Sequence, residues 1–473
     1  MTILPLDPAA NATPEALHAF LAQCRDMAVA RGRPQLVSIS LAVEALDPLA
    51  VLESIFEPDE PHFYAERPDI ATAIAGAETA AEFTTGGPGR FAAVQRWVDE
   101  TLANTIAVGD VTAPFGGPHF FAGFAFHDEV EPGEPFPAAR VFVPRWQVAR
   151  AGAVTTAVAN LPVAPDADLT ALALRVWRAH AKFRGFTYRE PAGNGPAEPV
   201  VRNSLRESGD YRQAVNRALE YIAAGEFEKI VLARALDVSA GEALHPLRML
   251  NGLRERFPDC YAFSMANGEG RSFIGASPER LVRVSKGLLE TEALAGSIRR
   301  GAGASEDAAL SAALLHSEKD LREQQLVVAA IAGRLTALGL TPRFAPAPGL
   351  RRLANVQHLH TPISAELGEK VRLLDALAAL HPTPAVGGTP QKEAVARIRE
   401  LEGFPRGLYA GAIGWMNARD GGEFFVGLRS ALVDGAGARV YAGAGIVAGS
   451  TPEKEFAETE LKFKAMLDAL LKP

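Results

Sequence analysis

The chain has 473 residues, of which 48% are hydrophobic and 22% charged, a globular balance with material for a large core and nothing of a disordered chain. Its formal net charge of −8 gives the whole molecule no electrostatic reason to seek nucleic acid or an anionic membrane, so any anionic ligand must be held by locally placed cations. Two cysteines far apart and without a CxxC pairing, Cys24 and Cys260, indicate neither a disulfide framework nor a cysteine metal site and fit a reducing cytoplasm.

The N-terminal stretch MTILPLDPAANATPEALHAF lacks the basic and continuous apolar regions of a signal peptide, and no apolar run reaches spanning length, so a soluble cytoplasmic protein is expected. From there PEALHAFLAQCRDMAVARG and RFAAVQRWVDETLANT have helical spacing, while PQLVSISLAV, HFFAGFAFH and RVFVPRWQVA read as strands. DLTALALRVWRAHAKF adds a helix. The Pro- and Gly-rich EPAGNGPAEPVVRNS that follows is the best candidate for a linker, which predicts a division near residue 195 into regions 1–195 and 196–473.

The second region opens with the predicted helix DYRQAVNRALEYIAAGE and the strand KIVLARALDVSA. YAFSMANGEGRSFIGAS and RLVRVSKGLLETEALAG supply further strands, and EDAALSAALLHSEKDLREQQLVVAAIAGRLTAL and LLDALAALHP supply helices. Residues 408–447 read as three strands joined by Asp-Gly and Gly-rich turns, followed by a closing helix, PEKEFAETELKFKAMLDALL. Strands joined by short turns, with helices in groups instead of strict alternation, predict an α+β fold built on mainly antiparallel sheet flanked by helices.

HPTPAVGGTP, from His381 to Pro390, holds three prolines and two glycines between two helical patterns. Proline fixes φ and glycine opens backbone conformations closed to other residues, so this is a shaped loop. Locally it reads as a helix stop and restart.

The closing helix puts Glu455, Glu458 and Lys462 on one face, a stripe that reads either as a solvated surface or as part of a site. Just before it, Gly443 and Gly445 remove side chains from a strand, so a ligand could approach the main chain closely. SEKDLREQQ places Glu318, Asp320 and Glu323 on another helix. Carboxylates from two helices, with no histidine or cysteine at ligand spacing, suit a hard cation such as Mg2+.

Lys229 heads an apolar strand and reads either as a lysine snorkelling to water or as a base. The second role needs a built site, because an unperturbed lysine with a pKa of roughly 10.4 is protonated at neutral pH. Glu279 follows a proline at a turn, and Tyr409 reads as core. Arg429 is expected inside an otherwise apolar strand, where an arginine calls for an anionic partner.

Taken in order, FEKIVLAR, GASPERLV, LAGS, SEKDLRE, RLANVQHLHTPI, HPTPAVGGTP, RGLYAGAIGW, GLRSAL and YAGAGIV with EKEFAETELK resemble the chorismate-utilising enzymes, the family of isochorismate, anthranilate, aminodeoxychorismate and salicylate synthases. The resemblance runs from about Asp210 to the end; FYAERPD and FAGFAFHDE in the N-terminal region are similar to the isochorismate synthases. It implies one large α+β body to which both regions contribute strands, and conversion of chorismate to isochorismate. Lys229 would activate water and Glu279 would protonate the departing hydroxyl. Glu323, Glu455 and Glu458 would hold Mg2+, while Tyr409, Arg429, Gly443 and Lys462 would bind the enolpyruvyl carboxylate. Ser297 and His358 would line the pocket, and the stiff loop would hold Ala385 and Val386 as its wall.

The same resemblance implies a product that feeds menaquinone, catechol siderophore or salicylate biosynthesis. No glutaminase partner is expected, and the expected state is a monomer. Ala295 stands where some aminodeoxychorismate synthases carry a lysine nucleophile, so no covalent route is expected there. Gln324 departs from the histidine common beside the metal-binding glutamate. The alternative within the family is a salicylate synthase, which also eliminates pyruvate.

Overall fold

The computed structural model describes residues 1–3, 13–184, 186, 188, 206–353, 356–368 and 370–471. Residues 190–204, read above as a linker, lie outside them, and so does the division near residue 195. Among the described residues the strands join in one hydrogen-bonded network, antiparallel throughout except where Thr105–Gly109 pairs in parallel with Thr2–Ile3 and Gln35–Val43. The architecture is α+β, with helices packed on the strands.

The pairings explain how the two regions share one body. Strand Lys229–Ser239 lies against Gly437–Val447 over its whole length, and Gly437–Val447 continues through Ser430–Asp434 and Arg271–Ser277 to Tyr261–Ala266. There the N-terminal strand His62–Arg67 takes over and leads through Thr72–Thr85 and Ala139–Ala151 to His119–Phe124. His119–Phe124 then pairs with Ala412–Asn417, which returns the network to the second region through Gly422–Val426, Arg280–Ser285 and Leu288–Arg299. Apolar residues alternating along these strands bury a core in which Phe63 and Phe121 stack at 4.4 Å, both fully buried.

The helical pattern over residues 306–338 is two helices, Ala304–Leu315 and Glu318–Ala337. Ser317 divides them by capping the second: its hydroxyl accepts from the Asp320 amide at 3.3 Å, and Glu318 and Asp320 place negative charge on the first turn. The closing helix runs Pro452–Leu471.

Residues 408–447 form four strands where three are expected from the sequence: Ala412–Asn417, Gly422–Val426, Ser430–Asp434 and Gly437–Val447. Arg429 accordingly lies in a break and not inside a strand. Gly427 exchanges backbone hydrogen bonds with Ala410 and Gly411, Leu428 donates back to Val426, and Arg429 takes a φ of +45°, so the chain leaves one strand and enters the next around it. An added Cβ on Gly427 would strike the Leu408 carbonyl oxygen at 2.5 Å, which makes glycine necessary to the crossing.

Candidate active site

Lys229, Glu279, Ser297, Glu323, His358, Ala385, Val386, Tyr409, Arg429, Gly443, Glu455, Glu458 and Lys462 all line one cavity of about 370 Å3. Its base is the pairing of Lys229–Ser239 with Gly437–Val447, where Ala233 faces Gly443 and Val231 faces Gly445. Helix Glu318–Ala337 brings Glu323, and helix Pro452–Leu471 brings Glu455, Glu458 and Lys462.

Lys229 is 1% exposed, and its Nζ donates to Glu323 Oε1 at 2.6 Å. The glycines expected to open the main chain do so: a Cβ on Gly445 would come within 3.2 Å of Lys229 Cε and 3.1 Å of Glu323 Oε1, and one on Gly443 within 2.8 Å of the Tyr409 hydroxyl. Lys462 Nζ donates to the Gly443 carbonyl and to Glu458 Oε1, each at 2.7 Å.

Glu279 lies between strands Arg271–Ser277 and Arg280–Ser285 and is 5% exposed, so it is a buried acid and not an exposed turn residue. Burial, reinforced by the negative charge of Glu292, pushes its carboxyl up to about 8, against the opposing pull of Lys229. Thr383 of the stiff loop lies 3.4 Å from its Oε1. The loop itself is fastened to the strand that carries Lys229: Glu228 and Val231 donate to Thr389 and Gly387, and Gly388, at φ +146°, has no room for a Cβ against the Lys229 carbonyl. Its prolines and glycines thus shape a wall in register with Lys229.

On the opposite side a bulge between Ala295 and Ser297, with Gly296 at φ +70°, turns the strand so that Ser297 Oγ meets His358 Nδ1 at 2.8 Å. Burial, helped by Arg429 and Lys462, lowers His358 to about 3, so the imidazole is neutral at physiological pH, and its Nε2 is a buried polar atom without a hydrogen-bond partner among the described residues. Arg429 has no carboxylate at ion-pair distance among the described residues; its NH1 lies 3.8 Å from Cys260 Sγ and its guanidinium 5.8 Å from the Phe257 ring. A half-buried guanidinium without a carboxylate at ion-pair distance, lining the same cavity as His358, suits an anionic ligand.

Each of the three carboxylates has a lysine beside it: Lys229 on Glu323, Lys462 on Glu458 at 2.7 Å, and Lys319 3.8 Å from Glu455. Among the described residues no three histidine, cysteine or carboxylate side chains stand together at metal-binding distance. The crowding of charge is nevertheless evident, because burial pushes Glu455 up and the proximity of Glu458 and Glu323 adds to it. Burial also works to raise Glu458, but Lys462, by its charge and its hydrogen bond, outweighs it and holds that carboxyl low. Carboxylate oxygens on one cavity are the donor type a hard divalent cation takes, and in this arrangement each is paired with an ammonium group. Gln324, 1% exposed, fastens the Glu323 helix to the sheet by donating to the Ala293 carbonyl and Thr361 Oγ1, each at 3.0 Å.

Several lining residues escape the sequence reading. Arg406 is buried against Glu402 and donates to the Val231 and Val386 carbonyls, tying the Lys229 strand to the stiff loop. Its signal is an i, i+4 acid and arginine across a turn. Tyr441 stacks on Tyr409 with ring centroids 5.0 Å apart, and lies two residues before Gly443 on the same strand face. Lys319 and Lys454 also line the cavity, the first one helical turn before Glu323.

A profile of the family described as "Chorismate binding enzyme" matches residues 19–471. The chain is 37% identical over 450 residues to the salicylate biosynthesis isochorismate synthase of Pseudomonas aeruginosa, covering 94% of this chain and 92% of that one. It is 32% identical over 446 residues to the isochorismate synthase MenF of Bacillus subtilis, covering 92% and 93%. Among solved structures, the menaquinone-specific isochorismate synthase MenF of Escherichia coli superposes with a TM-score of 0.76 at 28% identity, over 95% of this chain and 99% of that one. Anthranilate synthase component I of Streptococcus pneumoniae shares the fold, with a TM-score of 0.60 over 74% of this chain and 80% of that one. The cavity built from both helices, the stiff loop and the paired strands is therefore that of a member of the chorismate-binding enzyme family, to which this chain belongs.

Proposed function

We propose that the protein is an isochorismate synthase, an isomerase that adds water at C2 of chorismate with loss of the C4 hydroxyl. The observation that carries this reading is the pair of buried, oppositely suited groups on one cavity, Lys229 and the acid Glu279. Lys229 takes a proton from water as the oxygen bonds to C2. Both ring double bonds shift, C1=C2 to C1=C6 and C5=C6 to C4=C5, and Glu279 gives its proton to the C4 oxygen as the C4–O bond breaks, so one water enters and one leaves. A carboxyl raised to about 8 holds the proton this step consumes at neutral pH.

Arg429, Tyr409, the Gly443 main chain and Lys462 bind the enolpyruvyl carboxylate, with the neutral His358 and Ser297 beside them. These are the local cations and donors that a chain of net charge −8 needs for an anionic substrate. Ala385 and Val386 bound the cavity beside the ring, on a wall whose fixed backbone has little freedom to lose on binding. Glu323, Glu455 and Glu458 would hold Mg2+, which when bound supplies positive charge for the ring carboxylate. Ala295 offers no nucleophile for a covalent route. Because water is the nucleophile, no glutaminase is needed, and the chain is expected to act alone as a monomer in the cytoplasm.

The test is incubation of purified protein with chorismate and Mg2+ in the absence of ammonia, with product chromatography and an EDTA control. Isochorismate as sole product supports the reading; salicylate with pyruvate would instead make the protein a salicylate synthase, and no turnover would sink both.

A further inference from the structure

Beside Glu279 stands a second buried acid that the mechanism above does not use. Glu292, on strand Leu288–Arg299, is 7% exposed, and its carboxylate is fully occupied. Arg351 NH1 reaches its two oxygens at 2.8 and 2.9 Å, His360 Nε2 lies 2.9 Å from Oε2, and the backbone amide of Arg280 donates to Oε1 at 2.8 Å. That amide belongs to the peptide bond immediately after Glu279. The other side of the same turn is held by the Glu279 amide, which donates to Ser277 Oγ at 3.3 Å, and by the Glu279 carbonyl, which accepts from Val426 at 3.1 Å.

We propose that Glu292 is a positioning residue for Glu279: it fixes the turn through the Arg280 amide and sets a permanent negative charge beside the acid, which keeps the proton on Glu279. The inference rests on the reading of Glu279 as proton donor. Its physical basis is that two neighbouring buried carboxyls do not both ionise, and the one with the cationic partners ionises first. Glu292 has Arg351, His360 and a main-chain donor, whereas among the described residues Glu279 has the Thr383 hydroxyl at 3.4 Å and no closer donor. Burial alone would raise Glu292, yet the hydrogen bond from His360 and the charge of Arg351 bring it down to about 2.

The charged and titratable groups facing Glu279 come from every neighbouring strand. Lys229 on Lys229–Ser239 and Arg351 on Gly349–Arg352 favour its ionised form, Glu292 opposes it, and the Thr383 hydroxyl stabilises the anion weakly. His360, on Val356–Glu366, acts through Glu292. Glu292 is the carboxylate in this set, so its removal changes the balance in one direction only.

The experiment reads Glu279 directly, without turnover. Difference infrared spectra against Glu279→Gln identify the carboxylic acid C=O band of Glu279, and its loss is followed with pH in the intact chain. In Glu292→Gln, which keeps an acceptor for the Arg280 amide and loses only the charge, the midpoint is expected to fall by about one pH unit, a tenfold change in the ratio of protonated to ionised acid. Glu292→Asp, which keeps the charge, is expected to stay with the unmutated chain. An unmoved midpoint in folded Glu292→Gln overturns the proposal. Should that variant fail to fold, Glu292→Asn, which also removes the charge, takes its place: the midpoint is again expected to fall, and a midpoint that stays or rises overturns the proposal. Chorismate turnover is measured separately, so a chain that shows the shifted band but makes no isochorismate refutes the reaction and leaves the relation of the two acids standing.

Discussion

Lys229 Nζ and Glu323 Oε1 are 2.6 Å apart, which joins the residue read as base to a residue read as metal ligand in one ion pair inside the cavity. A lysine that accepts a proton from water has to give up that pairing, so the base and the carboxylate group form one electrostatic unit. Glu323 is on a helix and Lys229 on a strand, and only their docking makes the unit.

Removal of the base tests the unit from one side. Lys229→Ala is expected to lower kcat by about two to four orders of magnitude, the range that general acid–base groups contribute, with an unchanged circular dichroism spectrum. Near-normal isochorismate formation by the folded variant would rule out the base.

The carboxylates test it from the other side. Glu323→Gln and Glu458→Gln each remove a charged oxygen donor, so the Mg2+ concentration at half-maximal rate is expected to rise about tenfold or more. Calorimetric titration with Mg2+ alone should show the same weakening. Titrations identical to the unmutated chain would move the metal elsewhere.

The pH profile follows from Glu279. Its folded pKa of about 8 lies above the ordinary 4.5, so the group is protonated below about 8 and kcat/KM is expected to fall as pH rises through that value. The same shift acts on stability. Between 4.5 and about 8 the folded chain holds a proton that the unfolded chain has lost, so stability is full below the lower value and declines up to the higher one. Glu279→Gln is expected to abolish turnover and flatten that decline, measured by denaturant unfolding at several pH values across this window; a decline as steep as in the unmutated chain would count against the buried, protonated acid.

Arg429 should govern substrate affinity. With its bidentate fork gone, Arg429→Ala is expected to raise KM for chorismate at least tenfold, and Arg429→Lys to recover only part of it, because an ammonium offers a point charge in place of two parallel donors. Unaltered kinetics would make the arginine structural.

Gly388 tests the wall. An added methyl would press on the Lys229 carbonyl oxygen at a φ of +146°, so Gly388→Ala is expected to cost on the order of 1–3 kcal/mol in urea unfolding and to reduce turnover by displacing the loop. A variant as stable and active as the parent would mean the loop tolerates the shift.

Much of the fold was legible in the chain because periodicity is a local property. The helices Pro14–Arg31, Arg90–Ala103 and Tyr211–Ala223 and the strand Lys229–Ser239 fall where apolar spacing puts them. The break at Arg429 was not legible, since it comes from backbone bonds between Gly427 and residues 410 and 411, which apolar patterning does not record. The site residues were legible as types and as segments: an arginine amid apolar neighbours, acids on two helices, a loop stiffened by proline. Arg406 and Glu292 were missed: Arg406 shows along the chain only the acid four residues before it, and Glu292 takes its partners Arg351 and His360 from distant segments.

The sequence by itself determined the family, most elements and the inventory of charged groups, since each of these is written in residue order and local spacing. Tertiary structure alone decided that Glu279 is buried beside Glu292, that Lys229 is paired with Glu323, and that N-terminal strands link the two ends of the catalytic sheet. Burial and charge proximity depend on which distant segments meet, and those two quantities set the protonation of an acid and the partner of a lysine.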